Sequence, residues 1–90
     1  MSDIDELLEE QLKDKDFQKA WEETELEYQI KSMLISARLE QKMTQKELAE
    51  RSGVRQSNIS RIEKGVCTPT LGTLCDLARG LGKRLKIEMV

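Results

Sequence analysis

The chain has 90 residues, of which 36% are charged and only three are aromatic, and its formal net charge is −2. This length gives one small domain, and the composition favours helices with an aliphatic core. No apolar segment reaches the roughly 20 residues of a membrane span, and the acidic start excludes a basic signal peptide, so we expect a cytoplasmic protein.

The charges are divided unevenly along the chain. Residues 1–29 hold eleven acids and three bases, a net charge of −8, whereas residues 30–90 hold six acids and twelve bases, a net charge of +6. Phosphate groups attract the second block and repel the first. We therefore expect the two blocks to contact different partners.

Three helical segments are predicted in the first half of the chain. Ser2 caps the first, an amphipathic helix whose apolar face carries Ile4, Leu7, Leu8 and Leu12. The second is short and places Phe17 and Trp21 on one face. A possible capping box at Thr24 and Glu27 begins the third, from about residue 25 to residue 41.

Two short helices with a glycine between them follow. Thr44 and Glu47 form the clearest capping box of the chain, and the helix that it opens must stop by Gly53. The next helix buries Ile59 and Ile62 and ends with a glycine. This arrangement predicts a helix-turn-helix.

The remainder of the chain predicts one more helix and a strand. Thr70 caps a helix whose apolar face closes the core and which stops at Gly82. The tail then alternates apolar and charged residues, with Leu85, Ile87 and Met89 on one face, which is strand periodicity. A lone strand cannot satisfy its backbone, so we expect it to pair with the same strand of a second subunit in a homodimer.

The cysteines offer no metal site. Cys67 and Cys75 are eight residues apart in a chain without histidine, and a reducing compartment disfavours a disulfide. We interpret both as packing residues and expect no cofactor.

The second helix of the predicted motif has a polar face suited to DNA. Glutamine and arginine bond bidentately to adenine and guanine in the major groove, and each good pair discriminates by roughly 1–3 kcal/mol. Gln56 and Arg61 are expected near the first turns of a helix that enters the groove by its N-terminus. Phosphate or flanking contacts are predicted for Lys46, Arg55, Asn58, Ser60 and Lys64. The alternative for each is an ordinary solvated side chain.

The segment "MTQKELAERSGVRQSNISRIEKGVCTPTLGTLCDLARGLG" resembles the Xre family of helix-turn-helix regulators, the family of the lambdoid phage repressors. The resemblance covers about residues 30–82. It implies a small helical bundle in which Gln45 and Lys46 meet phosphates. It also implies a structural, non-catalytic ion pair between Arg38 and Glu63, and it assigns the base-reading positions to Gln56, Ser57 and Arg61.

The layout of the whole chain is similar to that of HigA-type antitoxins, in which an acidic extension precedes the DNA-binding module. This resemblance implies repression of the chain's own operon and inhibition of a basic ribonuclease toxin of the RelE-like superfamily. An acidic extension suits a basic partner. The toxin-binding candidates are Leu7, Leu8, Leu12, Phe17 and Trp21. Alternatively, the extension packs its aromatic residues on its own domain.

We thus predict an all-α fold with three parts: an acidic, toxin-binding N-terminal extension (residues 1–29), a DNA-binding domain (residues 30–82) and a dimerisation strand (residues 83–90). The predicted function is that of an antitoxin and autorepressor, and the alternative is a stand-alone Xre-type repressor. An enzyme is the weakest hypothesis, because the chain has no histidine, no phosphate-binding glycine loop and no cysteine beside an activating base.

Overall fold

The computed structural model describes residues 15–90, which form four α-helices and no strand. They are α1 (Lys15–Glu40), α2 (Gln45–Ser52), α3 (Gln56–Glu63) and α4 (Leu71–Gly80). The predicted all-α class is confirmed. None of the four helices is long and apolar enough to cross a membrane. The predicted amphipathic helix with Leu7, Leu8 and Leu12 lies outside the described residues.

The first described helix is one uninterrupted element of 26 residues, so the predicted helix start at Thr24 is wrong. The Thr24 hydroxyl donates a hydrogen bond to the Ala20 carbonyl at 2.8 Å, one turn back in the same helix. Threonine makes this bond inside helices, and good helix formers continue on both sides of it. From residue 15 to residue 29 every side chain except Phe17 is exposed, so this half of α1 projects from the domain, although the Glu27 carboxylate accepts a hydrogen bond from the Thr68 hydroxyl at 3.2 Å.

The helix-turn-helix is confirmed, and its boundaries follow from local chemistry. The Thr44 hydroxyl accepts the Glu47 backbone N–H at 3.1 Å, and the Glu47 carboxylate accepts the Thr44 backbone N–H at 3.5 Å. Gly53 ends α2 in the left-handed region, at φ +78°, where glycine avoids the steric cost of a side chain. Residues 53–55 are all that separates α2 from α3.

A small aliphatic core holds these helices together. Helix α2 packs against both α3 and α4, and α1 packs against α3. The buried apolar residues are Leu34, Met43, Leu48, Val54, Ile59, Ile62, Leu77 and Leu81. Met43, in the loop before α2, belongs to no helical pattern and was not predicted. Cys67 packs against this core as expected, but Cys75 is exposed, so the packing interpretation is wrong for Cys75.

The C-terminal end of α4 packs closely against Ser52 at the end of α2 and is hydrogen-bonded to Gln41, which follows α1. A Cβ atom placed on Gly80 would lie 2.8 Å from the Ser52 Cβ, which is closer than real side chains approach. The Gln41 amide donates to the Leu81 carbonyl at 2.6 Å and so joins the ends of α1 and α4. Glycine is therefore required at position 80 by packing.

The predicted C-terminal strand is absent from the described chain, because residues 83–90 form neither helix nor strand. A strand is held by hydrogen bonds to a neighbouring strand, and no second strand exists among the described residues. Leu85 is half-buried, whereas Ile87 and Met89 are exposed.

Candidate nucleic-acid interface

Helix α3 has one buried face and one face open to solvent. Ile59 and Ile62 are 0% and 2% exposed and fix the helix to the core. Gln56, Ser57 and Arg61 are all exposed. Arg61 was expected near the first turns of the helix, but it lies in the last turn. The base-reading candidates therefore extend along the whole eight-residue helix.

Basic side chains surround this open face. Lys46, Arg55 and Lys64 are exposed, at the start of α2 and at the two ends of α3. Arg55 occupies the N-cap position of α3 without a side-chain capping bond. The Asn58 N–H is bonded to the Arg55 carbonyl at 3.0 Å, so the N–H groups left without a cap are those of Gln56 and Ser57. Basic groups and a helix N-terminus both attract phosphate.

Three of the predicted flanking residues are partly engaged in the fold. The Asn58 amide oxygen lies 3.6 Å from the Cys67 sulfur and accepts its weak S–H bond. The Gln45 amide donates to the Glu63 carboxylate at 3.4 Å. Both residues are half-buried, and so is Ser60. These side chains have less freedom to meet DNA than Lys46 or Arg55.

A concave surface between α3 and α4 includes residues that the sequence did not indicate. Thr73 and Asp76 of α4 line it together with Gly53, Val54, Arg55, Ser57, Asn58 and Arg61. Asp76 also forms an ion pair with Arg79. Its carboxylate is therefore an acidic group in the lining of this surface, and the ion pair with Arg79 lessens its repulsion of a nearby phosphate. The sequence gives no sign that Thr73 and Asp76 lie near α3, because α3 and α4 come together only in the folded chain.

Arg38 of α1 and Glu63 at the end of α3 form a nearly buried ion pair. The guanidinium donates from Nε to one carboxylate oxygen at 3.0 Å and from Nη2 to the other at 2.8 Å. Its Nη1 donates to the Met43 carbonyl at 2.9 Å. The two side chains are 14% and 7% exposed. This pair connects α1, the loop before α2 and α3.

The projecting half of α1 carries an aromatic surface. The rings of Phe17 and Trp21 stack with centroids 6.4 Å apart and an interplanar angle of 27°. Trp21 is 58% exposed and Tyr28 66% exposed, and with Thr24 and Glu25 they line an open notch. Tyr28 is not among the residues predicted to bind a partner, although its position seven residues after Trp21 places both on one helix face.

The predicted dimerisation residues do not share one environment. Leu85 lines an apolar groove between α1 and α4, whose other apolar side chains are Met33, Leu34, Ala37, Leu74, Leu77, Ala78 and Leu81. Ile87 is 66% exposed, and Met89 is fully exposed. The described residues contain no cluster of three or more histidine, cysteine or acidic side chains suited to a metal ion.

Comparison with known proteins agrees with this geometry. A family model described as helix-turn-helix matches residues 34–87, and the chain belongs to this family of Xre-type regulators. The chain is 54% identical over 52 residues, or 58% of its length, to the uncharacterised HTH-type transcriptional regulator y4dL of Sinorhizobium fredii. It is 43% identical over 65 residues, or 72% of its length, to an uncharacterised HTH-type transcriptional regulator of Haemophilus influenzae.

A third relative is the antitoxin HigA1 of Mycobacterium tuberculosis, which is 36% identical over 76 residues, or 84% of this chain. The matched regions make up 26%, 66% and 51% of the Sinorhizobium, Haemophilus and Mycobacterium proteins, so the chain corresponds to only part of each. No solved structure matches the chain significantly.

Proposed function

We propose that this helix-turn-helix regulator represses its own operon and neutralises a basic, RelE-like ribonuclease toxin encoded beside it. The observation that carries the DNA-binding part is the division of α3 into two faces. Ile59 and Ile62 hold it rigidly to the core, while Gln56, Ser57 and Arg61 stand exposed. Side chains held on a rigid helix can meet base edges in a fixed register.

The DNA surface is supported by charge as well as by shape. Lys46, Arg55 and Lys64 lie around the exposed face, within a block of residues whose net charge is +6. Contacts from these cations to phosphate position a protein on the duplex without reading sequence. Gln56 and Arg61 then supply the discrimination between base pairs.

The toxin-binding part is supported by the extent of the antitoxin similarity. The alignment with HigA1 covers 84% of a 90-residue chain and must include residues 16–75 wherever it begins. It therefore includes the projecting half of α1, which lies before the helix-turn-helix match at residue 34. Exposure changes near residue 30 along α1, which supports treating residues 1–29 as a separate, partner-binding extension.

Dimerisation completes the proposal, because a repressor dimer sets two recognition helices about one DNA turn, roughly 34 Å, apart. The exposed tail with Ile87 and Met89, next to the apolar groove that Leu85 lines, supports a contact between two copies. In such a dimer the backbone of the tail can form hydrogen bonds with the partner's tail. The described residues of one chain contain no second strand to pair with it.

A stand-alone repressor is the second candidate. The Sinorhizobium and Haemophilus relatives carry only the name of transcriptional regulators. In this case the projecting half of α1 has no toxin to bind. Phe17 and Trp21 stack on each other, yet Trp21 stays 58% exposed. That exposure favours a partner over simple packing on the chain's own domain.

The DNA-binding part is tested by anisotropy titration on operator and random duplexes. Arg61→Ala and Gln56→Ala should each weaken operator binding about five- to hundredfold and leave random DNA nearly unaffected. Lys46→Ala should weaken both equally and reduce the salt dependence. Equal losses on both duplexes for Arg61→Ala would contradict the base-reading assignment.

The toxin-binding part is tested with a chain of residues 30–90. It should bind the operator like the full chain but fail to protect cells that express the neighbouring basic protein. Retained operator binding is the internal control for folding. Full protection by the shortened chain would favour the stand-alone repressor.

A further inference from the structure

We propose that the notch on α1, formed by Trp21, Thr24, Glu25 and Tyr28, binds an arginine side chain of the protein partner. This inference rests on the proposed toxin-binding function and names the chemistry of one contact within it. The four residues follow one ridge of the helix at spacings of three and four.

The notch combines two aromatic side chains with a carboxylate. Trp21 and Tyr28 stand one at each end, 58% and 66% exposed. The centre of the notch is recessed, because the Thr24 side chain is short and its hydroxyl donates back to the Ala20 carbonyl at 2.8 Å. Phe17 stacks beside Trp21 and so limits the orientations of the indole. Two large apolar side chains thus remain in solvent around an acidic group.

The Glu25 carboxylate decides which kind of side chain fits. No described residue forms a hydrogen bond or ion pair with it. An apolar side chain placed here would remove water from an unpaired charge, which is costly. A guanidinium can pair with the carboxylate and stack its plane on the indole or phenol ring. Arginine fits better than lysine because an ammonium group has no plane to stack.

The surrounding charge selects a basic partner and disfavours a second copy of this chain. Residues 15–29 contain five acids and two bases, a net charge of −3. The same segment of another copy would bring the same negative charge, and DNA would be repelled as well. A basic protein is attracted over a distance and can then place an arginine in the notch.

The test measures binding of the purified basic protein encoded beside the gene to the full chain by calorimetry. Trp21→Leu should raise Kd about tenfold, and Tyr28→Leu and Glu25→Gln about fivefold each. Trp21→Phe keeps an aromatic ring and should change Kd less than about threefold. Glu23→Gln removes the same charge from the opposite side of α1 and should stay within about twofold of wild type.

The outcomes separate this inference from the proposed function. If the basic protein does not bind the full wild-type chain, the toxin-binding function fails and the arginine contact with it. If it binds, but Trp21→Ala, Trp21→Leu and Glu25→Gln all match Glu23→Gln, the notch is not the contact, and toxin binding uses another surface. If Trp21→Leu binds like wild type while Trp21→Ala loses affinity, the occupant is apolar and the arginine assignment is overturned. Unchanged helical content by circular dichroism shows that the exposed substitutions leave α1 folded.

Discussion

Removing one partner of the ion pair between Arg38 and Glu63 is expected to destabilise the domain more than removing any exposed charge. Arg38→Met removes both guanidinium bonds to the carboxylate and the bond to the Met43 carbonyl. Glu63, with a side chain only 7% exposed, keeps just the 3.4 Å contact from Gln45. Leaving a buried charge without its partner costs about 3–5 kcal/mol.

Urea unfolding followed by circular dichroism measures this cost. A small domain has a total stability of about 5–15 kcal/mol, so the loss is a large share of it. With an m-value of about 2 kcal/mol/M, the unfolding midpoint should fall by roughly 2 M. Glu40→Gln is the matched control, because Glu40 and Lys83 form a 3.9 Å pair whose side chains are 70% and 53% exposed. Its effect should stay below about 1 kcal/mol.

The double substitution Arg38→Met with Glu63→Leu separates the cost of an unpaired charge from the value of the pair. Two apolar side chains of similar size leave no buried charge, so the double variant should recover most of the stability that Arg38→Met loses. A loss for Arg38→Met as small as that for Glu40→Gln would refute the burial argument. A double variant no more stable than Arg38→Met would show that the bonds themselves, rather than the stranded carboxylate, carry the energy.

Three further predictions concern packing, capping and assembly. Gly80→Ala should destabilise the domain by about 1–3 kcal/mol in urea unfolding, because its Cβ would lie 2.8 Å from the Ser52 Cβ. Gly72→Ala, in the same helix with its nearest atom 3.8 Å away, should stabilise it by about 0.5–1 kcal/mol; a similar loss at both sites would argue against the clash. Thr44→Ala should cost about 1 kcal/mol through loss of the capping box that opens α2, and an unchanged midpoint would contradict a role for the cap. A chain ending at Lys83 should sediment as a monomer in ultracentrifugation and bind operator half-sites weakly, whereas an undisturbed dimer would remove the tail from the interface.

The helix-turn-helix could be predicted because its signals lie within a few consecutive residues. The Thr44 cap, the glycine turn at Gly53 and the buried Ile59 and Ile62 each depend on local spacing. The same capping pattern failed at Thr24, because a threonine three residues before a glutamate also fits inside a helix. Only the residues on both sides decide between these cases, and around Thr24 they are good helix formers.

Apart from the Arg38–Glu63 pair, which the family resemblance implied, features that depend on distant parts of the chain could not be predicted from the sequence. Thr73 and Asp76 join the concave surface of α3 only because α3 and α4 both pack against α2. Met43 is buried in a loop, where no periodicity marks it. The alternation around Ile87 indicated a strand, but a strand also requires a neighbour, which a pattern of eight residues does not specify.

The continuity of α1 fixes the rotational phase between its two ends. Trp21 and Arg38 belong to one helix without a glycine, a proline or a break, and about 25 Å of helix axis separates them at 1.5 Å per residue. Each residue added or removed between Tyr28 and Leu34 would therefore turn the notch by about 100° around the axis relative to α3. Seven residues, close to two full turns, would nearly restore its direction while changing its distance by about 10 Å. In the proposed complex, the angle at which the partner faces the DNA is thus set by the number of residues in α1, as it would not be if the extension were joined by a flexible linker.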